Sequence, residues 1–173
     1  MAALTIVCND EQDTRFLAAA LARCLPAPSC VALIGTLGAG KTRFVQAVAA
    51  ACGIEPASVT SPTFVLCQRY DGVRTIFHMD AYRLHDLDEF FELGADEYFE
   101  TCDISFVEWA DKVRAGLPDN TVEITIDITG PTSRRMTLQD PRPGAEKWLD
   151  CIRATFPSAA PNVQDRSNSN SVR

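Results

Sequence analysis

The stretch that most limits what this chain can fold into is Gly35-Thr36-Leu37-Gly38-Ala39-Gly40-Lys41-Thr42. Four apolar residues, Val31-Ala32-Leu33-Ile34, lead into it, and Phe44, Val45, Val48 and Ala49 follow at helical spacing. A short unbroken apolar run suits a strand covered on both faces, and a 3.6-residue rhythm suits a helix with one apolar stripe. The glycine-rich segment between them is a complete Walker A pattern, Gly35-x-x-x-x-Gly40-Lys41-Thr42. Gly35, Gly38 and Gly40, with the small Ala39 among them, let backbone N–H groups turn inward around a β-phosphate. The helix beginning near Lys41 adds the positive end of its dipole, Lys41 reaches the β- and γ-phosphates, and the Thr42 hydroxyl binds Mg²⁺. A phosphate site is expected; whether that phosphate is transferred, released to water or only sensed is left open by the loop.

The rest of the chain reads as one α/β domain over residues 1–156, with a Ser/Asn-rich tail over 157–173 that has too little apolar surface to offset its ordering entropy and is expected to be disordered. Leu4 to Cys8 is a strand candidate, and Asn9 or Asp10 can cap a helix whose apolar face is Leu17, Ala20, Leu21 and Cys24. The loop's helix runs to about Cys52, with Gly53 as its stop. Thr63 to Tyr70 and Arg74 to Asp80 flank Asp71-Gly72, a hairpin signal, and Asp86 to Glu89 resembles a capping box for a short helix ending near Gly94. Ile104 to Val107 reads as a buried strand. Thr121 to Ile128 alternates polar and apolar residues and pairs with a strand around Arg135 to Gln139, and Ala145 to Phe156 forms a last helix with Trp148, Leu149 and Ile152 turned inward.

A P-loop enzyme needs an acid on a neighbouring strand to hold Mg²⁺ or orient water. Glu108, just past the buried strand Ile104-Ser105-Phe106-Val107, is the strongest candidate, against the alternative of a solvated residue beyond a strand end. Asp103 sits at the wrong end of that strand. Asp80 closes the strand Thr75 to Met79 and reads equally as a site acid or a turn former. Thr60-Ser61-Pro62-Thr63 has the hydroxyls of a γ-phosphate-sensing switch, although by itself it reads more simply as a turn held by Pro62. There is no Asn-Lys-x-Asp run to read guanine, no transporter signature and no arginine-rich lid, so a guanine-specific switch is disfavoured and a small-molecule kinase stays open on size alone.

A net charge of −7 disfavours direct, sequence-independent gripping of nucleic acid. Seven cysteines with no CxxC pair, and only two histidines, offer no zinc-type cluster. Most cysteines lie in apolar runs and read as small buried hydrophobes in a reducing compartment. With no signal peptide and no membrane-length apolar run, the reading is cytoplasmic.

Together these motifs resemble one family, TsaE, also called YjeE. The resemblance is carried by Asp10-Glu11-Gln12-x-Thr14, Gly35 to Thr42, Thr60-Ser61-Pro62-Thr63-Phe64, His78-x-Asp80-x-Tyr82-Arg83-Leu84, Glu92-Leu93-Gly94, Glu97-Tyr98-Phe99 and Val107-Glu108-Trp109. It implies a P-loop NTPase fold: a mostly parallel central sheet with antiparallel hairpin strands and helices on both faces. It implies an ATPase using ATP and Mg²⁺ that docks on the TsaB–TsaD heterodimer and supports formation of N6-threonylcarbamoyladenosine at position 37 of tRNAs reading ANN codons, with tRNA met only through the complex and no membrane partner. Lys41, Asp80 and Glu108 are the implied catalytic residues, and Thr42, Asp80 and Glu108 the implied metal ligands. The resemblance carries Thr60 and Ser61 to the switch-like loop, Glu11 and Thr14 to the nucleotide base, Arg134 to a basic nucleotide contact and Trp109 to the phosphates. Arg43 departs from the family, which often has a hydroxyl residue there, and is expected to alter the nucleotide grip. A small-molecule kinase and a nucleotide-dependent binding module without significant hydrolysis are the competing readings.

Overall fold

The computed structural model describes residues 1–62 and 66–156. Its strands are β1 Ala2–Cys8, β2 Ser29–Ile34, β3 Cys67–Tyr70, β4 Ile76–Asp80, β5 Ile104–Glu108, β6 Val122–Ile128 and β7 Arg134–Asp140. Its α-helices are α1 Glu11–Cys24, α2 Lys41–Ala51, α3 Leu87–Glu92, α4 Ala95–Thr101 and α5 Glu146–Thr155. The strands form one sheet in the order β1-β7-β6-β2-β5-β4-β3. The central four, β6, β2, β5 and β4, run parallel to one another. β3, β7 and β1 each pair antiparallel with their neighbours on the flanks. The α/β class and the parallel centre are as the sequence implies.

Side chains alternate across each strand, and the two faces are covered by different helices. Ile76, Ile104, Phe106, Val31 and Leu33 face α1, α2 and α5, meeting Leu17, Leu21, Phe44, Val48 and Trp148. Cys30, Ala32, Phe77, Met79 and Val107 face the other way, onto Phe90, Phe99 and Val113. Because β4 and β5 are parallel and in register, Asp80 stands directly beside Glu108. By the same alternation Ile76, His78 and Asp80 share one face, as do Ile104, Phe106 and Glu108, and in both strands it is the α2 face. The edge-to-face contact of Phe44 with Phe106, centroids 6.5 Å apart, seats α2 on β5 there.

The caps follow the expected chemistry. The Asp10 carboxylate accepts from Asp13 N at 2.9 Å to start α1, and Asp86 accepts from Glu89 N at 2.9 Å to start α3. One helix was expected from Asp86 to about Gly94. That helix is α3, which stops at Glu92; Gly94 then adopts a left-handed turn (φ 64°), and a second helix not expected from the sequence, α4, begins at once. Only Ala95 and Phe99 of α4 are buried, too few apolar repeats to announce a helix.

The cysteine reading needs correction. Cys8, Cys30, Cys52 and Cys102 are free and buried, but Cys24 and Cys151 form a disulfide between α1 and α5, with Cα atoms 5.9 Å apart. The partners are 127 residues apart in sequence, and only the packing of the two helices brings them together. The same corner carries a buried polar clamp. Asp140, at the end of β7, accepts from Arg142 Nη2 at 2.7 Å and from Trp148 Nε1 at 2.7 Å, while Arg142 Nη1 donates to Ser29 Oγ at 2.8 Å. This joins α5 to β7 and β2. The tail 157–173, Thr63, Phe64 and the start of the expected hairpin strand lie outside the described residues. No helix among the described residues is long and apolar enough to cross a membrane.

Candidate nucleotide site

The parallel strands β2, β4 and β5 all end at one edge of the sheet, and the chain leaves β2 there through the glycine loop. In an open α/β sheet this carboxyl edge is where ligands bind. Two glycines are required by geometry. A Cβ at Gly35 would lie 2.7 Å from the Ile126 carbonyl oxygen, and Gly40 has φ 106°, a conformation that residues with side chains rarely adopt. Lys41 then opens α2.

A cavity of about 380 Å³ lies against this edge, lined by Leu37, Gly38, Gly40, Lys41, Thr42, Arg43, Ser61, Asp80, Tyr82, Glu108 and Trp109. Lys41, Asp80 and Glu108 are each no more than 5 % exposed. Charges so deeply placed must find partners. The Lys41 ammonium donates to the carbonyl oxygens of Gly35 at 2.7 Å and Thr36 at 3.2 Å, and lies 3.7 Å from the centre of the Trp109 ring. Burial lowers the Lys41 pKa from its ordinary value, opposed by the negative charges of Glu108, Asp80 and Asp111. Thr42 Oγ1 donates to Glu108 Oε1 at 2.7 Å. Asp80 accepts from Ser61 Oγ at 3.2 Å and from Tyr82 N at 2.9 Å. Trp109 holds a left-handed backbone (φ 56°), uncommon for a bulky residue, and packs against Tyr82 with centroids 5.0 Å apart. Leu37 and Tyr82 stand exposed at the rim.

The structure brings together the glycines, Lys41, Thr42, Arg43, Ser61, Asp80, Glu108 and Trp109, sets Thr60, Ala39 and Arg134 at the margin of this group, and places Glu11 and Thr14 apart from it. Thr60 is exposed beside Ser61. Ala39 is buried under the loop, and Arg134, reaching across from β7, donates from Nε to its carbonyl at 2.8 Å and from Nη2 to that of Gly38 at 3.3 Å. Arg134 thus fastens the loop from outside. Glu11 and Thr14 line a different groove, between α1 and α2, with Arg15, Gln46 and Ala50. Arg43 lines both hollows. Asp103 lies at the far end of β5, bound to the Thr75 backbone N–H and hydroxyl. One residue of the constellation was missing from the sequence-based set: His78, fully buried, whose Nε2 is 2.8 Å from Glu108 Oε1. Its signal was the strand period, since a residue two before Asp80 shares its face.

The donors around Thr42 are hydroxyl and carboxylate oxygens, the hard ligands that suit Mg²⁺. Turned-in loop amides at the start of a helix serve to hold phosphate, and the order in which the strands deliver loop, Asp80 and Glu108 to one edge is that of the P-loop NTPase fold. Residues 8–136 match the family model described as Threonylcarbamoyl adenosine biosynthesis protein TsaE, and the chain belongs to that family. It is 39% identical over 132 residues to a tRNA threonylcarbamoyladenosine biosynthesis protein TsaE of Treponema pallidum, covering 76% of this chain and 97% of that one. It is 38% identical over 130 residues to the Bacillus subtilis TsaE protein, covering 75% and 80%. The crystal structure of Bacillus subtilis YdiB superposes with a TM-score of 0.72 at 30% identity, over 88% of this chain and 95% of that one.

Proposed function

We propose that residues 1–156 act as one Mg²⁺-dependent ATPase unit that supports a TsaB–TsaD pair in forming N6-threonylcarbamoyladenosine at position 37 of tRNAs reading ANN codons. The observation that carries this reading is the Thr42–Glu108 hydrogen bond with Asp80 alongside, set under the lysine of the glycine loop. ATP reacts with water to give ADP and phosphate: the water oxygen bonds to the γ-phosphorus as the bond to the β–γ bridging oxygen breaks. Thr42, Glu108 and Asp80 would hold Mg²⁺, which would supply neutralisation of the phosphate charge. Lys41 leaves its carbonyl partners for the β- and γ-phosphate oxygens. Glu108 orients the attacking water, and Asp80, linked to Ser61, couples the site to the Thr60 loop. Glu11, Thr14 and Arg43 line the side towards the base, Trp109 packs by the phosphates and Arg134 holds the loop in shape. The useful output is a change of shape passed to the partners. The rim carrying Leu37 and Tyr82, with the Thr60 loop and α3–α4, is the docking face, and tRNA is met only through the complex, in the cytoplasm.

The test is a reconstitution. A TsaB–TsaD pair supplied with tRNA and the activated threonylcarbamoyl donor is expected to modify tRNA over repeated turnovers only when this protein and ATP are both present. Modification that proceeds equally well without the protein overturns the reading.

A further inference from the structure

His78 has no part in the scheme above. It lies in β4 with no exposed surface, and alternation along the strand puts it on the face of Asp80 and, across the pairing with β5, diagonally behind Glu108. Its Nε2 meets Glu108 Oε1 at 2.8 Å. Its Nδ1 is the one buried side-chain nitrogen or oxygen among the described residues with no hydrogen-bond partner. An ionised Glu108 can only accept, so the hydrogen-bond network assigns the proton of a neutral imidazole to Nε2 and leaves Nδ1 as a bare lone pair.

That arrangement is costly for a residue that only fills space. A phenylalanine would occupy the same slot beside Phe106 without burying an unpartnered polar atom. What the imidazole adds is a fixed donor behind the carboxylate. Oε1 receives both the His78 N–H and the Thr42 O–H, and no donor among the described residues reaches Oε2. A carboxylate held by one oxygen from two directions cannot rotate, and a Thr42 hydroxyl whose proton is committed to Oε1 keeps its lone pairs for a cation.

We infer that His78 is a positioning residue: its Nε2–H fixes Glu108 so that the carboxylate aligns Thr42 for Mg²⁺ and presents Oε2 to water. The inference rests on the ATPase reading. It extends the site one layer beneath the residues that touch nucleotide or metal.

The test compares the wild type with His78→Phe, His78→Asn and His78→Gln. Glutamine can bring its amide N–H to the position of Nε2, whereas asparagine is too short. ATP binding is titrated with and without Mg²⁺, thermal melting is followed, and hydrolysis is split into kcat and KM. His78→Phe and His78→Asn are expected to bind ATP normally without Mg²⁺. They should need about 10-fold more Mg²⁺ for half-maximal binding and lose about 10–100-fold in kcat at little-changed KM. His78→Gln should recover most of both losses, and His78→Phe should melt no lower than the wild type. Four forms alike in Mg²⁺ requirement and kcat overturn the inference, as does a His78→Gln no better than His78→Asn; that pair decides the matter alone if His78→Phe fails to fold. A wild type whose ATP binding ignores Mg²⁺ overturns the ATPase reading and this inference with it. A Mg²⁺-dependent wild type with indifferent His78 variants overturns this inference alone.

Discussion

Lys41→Ala is expected to reduce turnover of Mg²⁺–ATP by about 10²–10³-fold, the usual loss when one preorganised cation or donor on a phosphoryl group is removed. The surroundings of the ammonium show why the effect is large. The ammonium is 5 % exposed and already desolvated, and it is held by two loop carbonyls and the Trp109 face. Phosphate oxygens therefore replace neutral partners with charged ones at little further desolvation cost, and charge-assisted hydrogen bonds are roughly twice as strong. Lys41→Arg is expected to fail as well, because a planar guanidinium does not fit the narrow slot between the loop carbonyls and the indole ring. Equilibrium ATP binding together with single-turnover hydrolysis checks both variants. Near-normal turnover in Lys41→Ala would mean that this cavity is not where the chemistry happens.

The second large effect concerns stability. Asp140→Ala should cost about 3–5 kcal/mol, the range for breaking a buried ion pair by removing one partner. Asp140 is fully buried, and its removal takes the charged partner from the Arg142 guanidinium, leaving it Ser29 Oγ, and takes the acceptor from the Trp148 indole N–H. Burial alone would raise the Asp140 pKa, but hydrogen bonds from Arg142 and Trp148 outweigh it and hold the carboxyl below its ordinary value of 3.8. A lowered folded-state pKa gives a contribution that is complete above the unfolded value and is lost as pH falls through the folded one. Denaturant melts below about pH 4 should therefore show a larger acid loss of stability in the wild type than in Asp140→Asn, which keeps the share that Asp103 contributes through its Thr75 hydrogen bonds. An Asp140→Ala protein as stable as the wild type at pH 7 would show that α5 does not depend on the clamp.

What was legible in the sequence was local or periodic. The apolar run before Gly35, the helical rhythm after Lys41 and the placement of Glu108 at the end of a continuous strand all follow from spacing, and all appear in the fold. Asp80 was undecided from its own neighbourhood, because being a turn former or a site acid depends on which strand lies next to it; pairing with β5 puts it beside Glu108. The pairing of β1 with β7, the Cys24–Cys151 bridge and the Asp140–Arg142–Trp148 clamp join segments with no shared periodicity. Arg134 illustrates the same limit. A basic residue can be placed near a nucleotide by likeness, but its guanidinium meets the carbonyls of Gly38 and Ala39 only through the folding of β7 against the loop. His78 was visible as part of a motif, yet its bond to Glu108 crosses two strands that are 30 residues apart.

The most direct measurement of the central claim is phosphate release from ATP with Mg²⁺ by the purified protein, alone and with a TsaB–TsaD pair, beside Glu108→Gln. The account predicts release that the partners stimulate and that the substitution abolishes while ATP still binds. Equal release by the wild type and Glu108→Gln, or ADP formed only when a small acceptor takes the phosphate, would contradict it.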